Sequence, residues 1–307
     1  MTAEREERWI WPAFADDLLG RLALGAAELQ ASVMSLLEQW PTTEPDEAFV
    51  TRALTYPWAR PAGSFVLEDR DRIGPVTPVH REELAALAAG AEPAPGQPRR
   101  YPLLAIGSNG APDTLVRKFE YLPADGTRVF SIAGRLHDFD IGAVAGITPY
   151  GAFPATLVPS PGAIVECSLL WVTAPQLEAL TWSELSYAIG RLSPIRFETP
   201  DHPEDNAIDA ALVYIARWGF LTIDDQPVSL EAMPATNRTG AVWTQERLLE
   251  WAAGEVFGAG TGHRRLLESL AREPVPTITE INRRARATAS PFTHDAWRVL
   301  PGTADVG

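Results

Sequence analysis

The alternation of apolar and polar positions divides the chain into three segments. Residues 12–40 and 45–54 repeat apolar side chains at helical spacing, and a further helix is predicted over residues 80–89. Residues 90–102 are rich in proline and glycine, which continue neither a helix nor a sheet. We therefore predict a mostly helical N-terminal extension over residues 1–98, and a domain boundary near residue 98.

The middle segment, residues 99–240, changes to short apolar runs that are typical of strands. Such runs occupy 101–106, 128–136, 155–158, 164–172 and 210–216, and helices are predicted after Pro112 and over 175–182. Helical periodicity returns over residues 246–255 and 264–271, which predicts a C-terminal helical extension over 241–307. Together these patterns predict an α+β protein.

One stretch of the middle segment changes character within a few residues. The apolar run that begins at Tyr101 is broken by residues 107–110, Gly-Ser-Asn-Gly, and Pro112 with Asp113 then opens a helix. A strand, a tight turn and a helix N-terminus bring free backbone N–H groups together, and such a place favours an anion. The alternative interpretation is an ordinary connection whose glycines satisfy only the backbone geometry.

A single acid, Glu184, follows the apolar helical run 177–182. A carboxylate at a helix C-terminus is opposed by the helix dipole, and burial would oppose its charge further, so it suits a general base at neutral pH. The alternative is a surface glutamate that flanks a helix. Tyr187, three residues on, is placed to donate a hydrogen bond to Glu184 or to a substrate, or simply to pack.

The order of three short motifs resembles that of the γ-glutamylcyclotransferase-like family. The motifs are Ile-Gly-Ser-Asn at 106–109, Pro-Ser-Pro-Gly at 159–162 as a turn between two strands, and Leu-Thr-Trp-Ser-Glu-Leu at 180–185. The resemblance covers about residues 100–225. It implies a small mixed β-barrel with flanking helices, formed by residues 99–240.

The resemblance also implies a reaction. In such proteins one glutamate takes a proton from the α-amine of a γ-glutamyl group, the amine attacks the γ-carbonyl, and 5-oxoproline and a free amine are released. Transferred by motif, Glu184 is the acid/base, and Ile106, Gly107, Ser108 and Asn109, with Tyr187, bind the γ-glutamyl substrate. The reaction is that of a lyase that needs no metal and no organic cofactor.

Three positions differ from the family pattern, and other functions therefore stay open. Ile106 stands in place of an aromatic residue, Thr181 in place of an acid and Leu185 in place of a glycine. A ligand-binding or interaction module without turnover is the main alternative. A hydrolase with Ser108 as its nucleophile is disfavoured, because the sequence around it lacks Gly-x-Ser-x-Gly and no histidine stands in a triad motif.

Metal sites are also disfavoured by the pattern. The run His137-Asp138-Phe139-Asp140 lies on a predicted strand, where adjacent side chains point to opposite faces. The acidic loop Asp201–Asp205 lacks the spacing and the glycine of a known calcium loop. We expect neither to bind a metal.

Composition narrows the partners. The net charge of −14 and the pI of about 4.8 predict no binding to nucleic acid or to anionic membrane surfaces. No apolar stretch is long enough to span a bilayer, the N-terminus is too acidic for a secretory signal, and the only cysteine, Cys167, lies in an apolar run that is typical of a core. These features predict a cytoplasmic protein. The oligomeric state and the role of the ten tryptophans are left open.

Overall fold

The computed structural model describes residues 9–69, 72–89, 91–123, 126–199 and 208–306. The Asp201–Asp205 loop and the acidic residues 1–8 lie outside these ranges. The helices are α1 Asp16–Leu22, α2 Ala26–Glu38, α3 Glu47–Leu54, α4 Pro78–Ala88, α5 Pro112–Lys118, α6 Ala174–Trp182, α7 Gln245–Phe257, α8 His263–Arg272 and α9 Pro274–Arg286.

The strands of the described residues form one large sheet. They are β1 Phe65–Asp69, β2 Arg72–Pro75, β3 Arg100–Ala105, β4 Val129–Ala143, β5 Ala155–Thr173, β6 Tyr187–Leu192, β7 Phe197–Glu198, β8 Ala211–Ala216, β9 Phe220–Ile223, β10 Gln226–Leu230, β11 Ala235–Thr236, β12 Ala241–Trp243, β13 Ala289–Ser290 and β14 Trp297–Val299.

The sheet is mostly antiparallel and open. Its main path runs β13-β9-β10-β4-β5-β3-β8-β6-β14, and only β3 with β8 and β10 with β12 are parallel pairs among the described strands. The path ends at β13 and β14 without closing on itself. The α+β prediction is confirmed at this level, whereas a small closed barrel is not.

The predicted helix over residues 12–40 is two helices. Helix α1 ends at Leu22 and α2 begins after Gly25, whose backbone N–H donates to Glu28 Oε2 at 3.1 Å. This contact satisfies an otherwise free donor at the start of α2. A continuous apolar pattern therefore did not require a continuous helix.

The Pro-Ser-Pro-Gly segment is not a turn between two strands, as the sequence had led us to expect. Residues 159–162 lie inside the single long strand β5, where they bulge against β4. Opposite them Asp138 has a φ of 65°, and its Oδ1 accepts a hydrogen bond from the Gly162 N–H at 2.9 Å. Proline and glycine suit a bulge as well as a turn, and pairing with β4 decides between them.

Two hydrophobic clusters place the helices on the sheet. The first joins α2 and α3 with the sheet and with α7, α8 and α9, so that all three predicted segments share one cluster. The second is formed by β3, β6 and β8 with α5 and α6, and includes the fully buried Leu115, Leu177 and Leu180. Each such leucine stabilises the fold by about 1.5–3 kcal/mol. Residues of both α5 and α6 thus belong to this second cluster.

The structure also bears on the expectations for Cys167 and for membrane-spanning segments. Cys167 is buried, as predicted from its apolar run, and burial raises the pKa of its thiol to about 12. Within the ranges given above, no helix combines the length and the apolar character that crossing a bilayer requires.

Candidate active site

A cavity of about 440 Å³ contains the residues that the sequence motifs singled out. Ile106, Gly107, Ser108 and Asn109 line it after the end of β3, and Glu184 and Tyr187 line it after the end of α6. The six predicted site residues are therefore brought together at one place, although two of the segments that carry them are more than 70 residues apart.

The Gly-Ser-Asn-Gly turn has a different form from the predicted one. Residues Ser108–Gly110 form a short 3-10 helix, and α5 begins only at Pro112, which has no N–H group. The turn is closed by hydrogen bonds from Gly110 N to Gly107 O and from Ala111 N to Ser108 O, both of 3.0 Å. The residues that line the cavity thus belong to the 3-10 turn and not to the N-terminus of α5.

Glycine is required at position 107 because the backbone there is approached closely. A Cβ at this position would lie 2.7 Å from the Tyr56 hydroxyl and 3.1 Å from Ala155 Cβ. The Tyr56 hydroxyl in turn accepts a hydrogen bond from Ala155 N at 3.0 Å. Tyr56, which follows α3 in the N-terminal extension, is thereby seated against the turn.

The Glu184 carboxylate is held by two side chains. Lys118 Nζ donates to Glu184 Oε1 at 2.8 Å and to Asn109 Oδ1 at 2.7 Å, while Asn109 Nδ2 donates to Glu184 Oε1 at 3.2 Å. The side chains of Lys118 and Glu184 are only 10% and 15% exposed. The Asn109 side chain, expected to bind a substrate, is engaged in holding the carboxylate.

This triangle adds a cation that the electrostatic expectation for Glu184 did not include. The sequence predicted a carboxylate opposed by the C-terminal dipole of α6 and by burial, whereas the structure places a cation beside it. Within the described chain no hydrogen bond reaches Glu184 Oε2, so this oxygen is available to a ligand. The arrangement fixes one carboxylate oxygen and leaves the other open to the cavity.

Lys118 was missed by the sequence analysis, although a signal was present. It is the only lysine among the 26 basic residues of the chain, the others being arginine. Lysine supplies a compact point charge with three donors, which suits simultaneous contact with a carboxylate and an amide oxygen. A single lysine in a chain whose other basic residues are arginine was the signal that could have drawn attention to this position.

Four of the six tyrosines line the same cavity, which the sequence did not indicate beyond Tyr187. Burial raises the pKa of Tyr56 to about 12, and the pKa values of Tyr150, Tyr187 and Tyr214 rise further. The negative charge of Glu184 adds to each of these rises. All four hydroxyls therefore stay protonated at neutral pH and can donate hydrogen bonds.

The Tyr187 hydroxyl has a partner other than Glu184. It donates to Ala155 O at 3.1 Å, and its backbone N–H donates to Glu184 O at 2.8 Å. Ala155 thus accepts from Tyr187 and donates to Tyr56. Through this one residue of β5, both tyrosines are positioned at the wall of the cavity.

Two of the positions that differ from the family pattern have a structural explanation. Thr181 is fully buried, and its hydroxyl donates to Leu177 O at 2.7 Å, so the Tyr214 hydroxyl at 2.8 Å is the donor of their shared bond. Leu185 packs against the second hydrophobic cluster and does not line the cavity. Neither residue narrows the space beside Glu184.

The residues considered for metal binding lie elsewhere. His137 Nε2 is 3.1 Å from Glu198, and Asp140 pairs with Arg238 at 3.0 Å, so the two do not face one ion. Glu246, Glu250 and His263 bring one potential ligand atom each within 4.8 Å, but all three lie outside the cavity. No histidine is among the described residues that line the cavity, so Ser108 has no imidazole base there.

Comparisons with known proteins show little similarity. No protein-family model matches the sequence, and no curated protein matches it. Among solved structures the chain is similar to a crystal structure of an uncharacterized protein from Homo sapiens, with 14% sequence identity and a TM-score of 0.28 over 64% of this chain and 94% of that one. A likeness at this level supports no conclusion about fold or function.

Proposed function

We propose that this chain is a γ-glutamylcyclotransferase-like enzyme, a lyase that releases 5-oxoproline from a γ-glutamyl amine or peptide. The observation that carries the proposal is the position of Glu184. Its carboxylate lines one cavity with the Gly107–Asn109 turn, with Oε1 held by Lys118 and Asn109 and Oε2 unoccupied by the described residues. These are the two parts that the proposed reaction requires.

The γ-glutamyl head binds with its α-carboxylate at the turn. There the positive charge of Lys118 offsets the negative charge of the Glu184 carboxylate. Glu184 Oε2 takes a proton from the α-amine, which attacks the γ-carbonyl carbon of the same molecule. The C–N bond of the lactam forms, and the bond to the leaving amine breaks as Glu184 returns the proton to it. Since nucleophile and electrophile belong to one molecule, the protein needs only to fold the substrate and move a proton.

Tyr56 supplies a neutral hydrogen-bond donor for the oxyanion that develops on the γ-carbonyl oxygen. Because the Tyr56 hydroxyl already accepts from Ala155 N, its own proton is free to point at a ligand. Its raised pKa keeps that proton in place throughout the neutral range. Donors of this kind stabilise the transition state more than the ground state.

The open sheet around β3, β4, β5, β6 and β8 is, in this proposal, a variant of the small mixed barrel of the family. The reaction uses no metal and no organic cofactor, and its partner is a small-molecule γ-glutamyl substrate. A cytoplasmic location agrees with the single buried thiol.

A binding module without turnover is the second candidate, and one observation favours it. The 2.8 Å pair between Lys118 and Glu184 neutralises the carboxylate that has to act as base. A pair of this kind also occurs where an acid has only a structural role. Such a module would bind γ-glutamyl compounds and release no 5-oxoproline.

The deciding experiment measures 5-oxoproline release from a panel of γ-glutamyl amines and dipeptides. Glu184→Gln keeps the shape of the side chain and removes the base, and Glu178→Gln, on helix α6 just before Glu184 but outside the cavity, is the matched control. We expect release by the wild type and by the control, and none by Glu184→Gln. Binding of the panel without release by the wild type would establish the binding module instead.

A further inference from the structure

A second cavity, here the outer cavity, has a volume of about 620 Å³ and is lined by helices α3 and α5. Helix α3 contributes Thr51 and Arg52 to it, and helix α5 contributes Arg117. Trp58 lines the outer cavity and also the cavity that contains Glu184, so its ring is a wall that the two share. The Glu184 carboxylate itself does not line the outer cavity.

Two arginines approach the ring of Trp58. The guanidinium carbon of Arg52 lies 4.8 Å from the ring centroid, and that of Arg117 lies 5.8 Å from it. The Trp58 indole N–H donates to Arg52 O at 3.0 Å. The Trp58 backbone has a φ of 70°, which is unfavourable for a bulky side chain. The ring is therefore held against α3 at a cost in backbone strain.

Neither guanidinium has a partner of opposite charge. Within the part of the chain that the structure describes, no carboxylate forms an ion pair with Arg52 or Arg117, and neither guanidinium donates a hydrogen bond. Two acids line the outer cavity, but Glu47 is engaged by Arg264 at 2.8 Å, and Asp113 pairs with neither arginine. Burial and the positive charge of Arg117 lower the pKa of Arg52.

A second ring shows how this chain offsets such an arrangement elsewhere. Phe130 is also approached by two arginines, Arg100 at 5.4 Å and Arg128 at 4.7 Å. There Arg128 forms ion pairs of 3.1 Å with Glu68 and with Glu83, and Arg100 donates to two backbone carbonyls. The two positive charges are thus offset at Phe130 and are not offset beside the outer cavity.

The unbalanced pair indicates the chemistry of a ligand. Two neighbouring guanidiniums repel one another, and an anion between them replaces this repulsion by attraction. A phosphate group carries about two negative charges at neutral pH and presents several oxygens, so it can accept from both guanidiniums at once. A monocarboxylate balances only one of the two charges. Acids are plentiful in a chain with a net charge of −14, yet none is placed beside this pair.

We propose that the outer cavity binds a phosphate group, free or as a phosphomonoester, between Arg52 and Arg117. The phosphate oxygens accept hydrogen bonds from both guanidiniums, which Trp58 holds in place through their contacts with its ring. This site is separate from the one that takes the γ-glutamyl head. Its occupancy is measured without a γ-glutamyl substrate and does not depend on the proposed reaction.

Calorimetric titration of the full chain with inorganic phosphate tests the proposal, and acetate at the same ionic strength is the monoanionic comparison. We expect saturable binding of one phosphate per chain, at least about tenfold tighter than that of acetate. Arg52→Met and Arg117→Met should each weaken phosphate binding by at least about tenfold. Thr51→Glu, at an exposed position of the lining, supplies the missing acid and should remove the binding.

Arg247→Met is the matched control, because Arg247 lies alone over the Trp243 ring at 4.4 Å. This variant should bind phosphate as the wild type does. Absence of saturable binding by the wild type overturns the proposal, and so does equal affinity of the wild type and both arginine variants. A titration with ethyl phosphate identifies the source of the group. Affinity at least equal to that of inorganic phosphate indicates a phosphomonoester, and weaker binding indicates the free anion.

Discussion

Replacing Lys118 by methionine isolates the contribution of the ion pair to the site. Methionine keeps an unbranched side chain of similar length and removes the charge. Glu184 Oε1 then loses its 2.8 Å contact, and Asn109 Oδ1 loses its 2.7 Å contact. The Glu184 carboxylate, only 15% exposed, is left without a cation.

The expected loss is set by two opposing terms. At this separation the Coulomb attraction is on the order of 6 kcal/mol for an effective dielectric constant of about 20. Desolvation of both groups offsets much of it, whereas removal of one partner leaves the other buried and unpaired, which typically costs about 3–5 kcal/mol. Because both side chains keep some contact with water, we expect Lys118→Met to lower the free energy of unfolding by about 2–4 kcal/mol.

A double-mutant cycle by urea denaturation at neutral pH measures this coupling. Lys118→Met, Glu184→Gln and the double variant should show a coupling energy of about 2 kcal/mol, because Glu184→Gln removes the charge that the single Lys118 variant leaves unpaired. As a control, Arg283→Met breaks the pair between Arg283 and Glu280, whose side chains are 61% and 34% exposed, and should lower the free energy of unfolding far less than Lys118→Met does. Additive losses for Lys118 and Glu184 would show that the pair does not stabilise the protein as reasoned here.

Three further predictions concern the walls of the cavity. Gly107→Ala should lower the free energy of unfolding by about 1–3 kcal/mol, because the new Cβ contacts the Tyr56 hydroxyl. Combining it with Tyr56→Phe should restore part of this loss. Purely additive losses in thermal unfolding would contradict the explanation. Thr181→Val leaves the Tyr214 hydroxyl without its acceptor and should lower the free energy of unfolding by about 1–3 kcal/mol. The loss measured by urea denaturation should be smaller when Thr181→Val is combined with Tyr214→Phe, because no hydroxyl is then left unpaired. The pKa of Tyr56 is raised to about 12 from an ordinary value of about 10, so its stabilising contribution, about 2–3 kcal/mol, is fully present below about pH 10 and is lost as the pH rises toward 12. Tyr56→Phe should therefore lose less stability than the wild type over this alkaline window, and equal losses would refute the assignment.

Elements that depend only on residues adjacent in the sequence could be predicted from it. Helix α6, strand β3 and the break after it occur where periodicity and glycine placed them. The Pro-Ser-Pro-Gly segment was predicted incorrectly as a turn, because proline and glycine satisfy a bulge equally well. Only the pairing of β5 with Asp138 on β4 distinguishes the two.

The sequence by itself thus determined the α+β class, elements such as α6 and β3, and two of the motifs that meet at the cavity. Tertiary structure decided what surrounds them. Lys118 and Glu184 are 66 residues apart and come within 2.8 Å because α5 and α6 pack on the same buried cluster. The same holds for Tyr56 and Arg286, which reach the cavity from the two terminal extensions. Local propensity carries no information about such contacts, since they depend on which apolar faces are buried together.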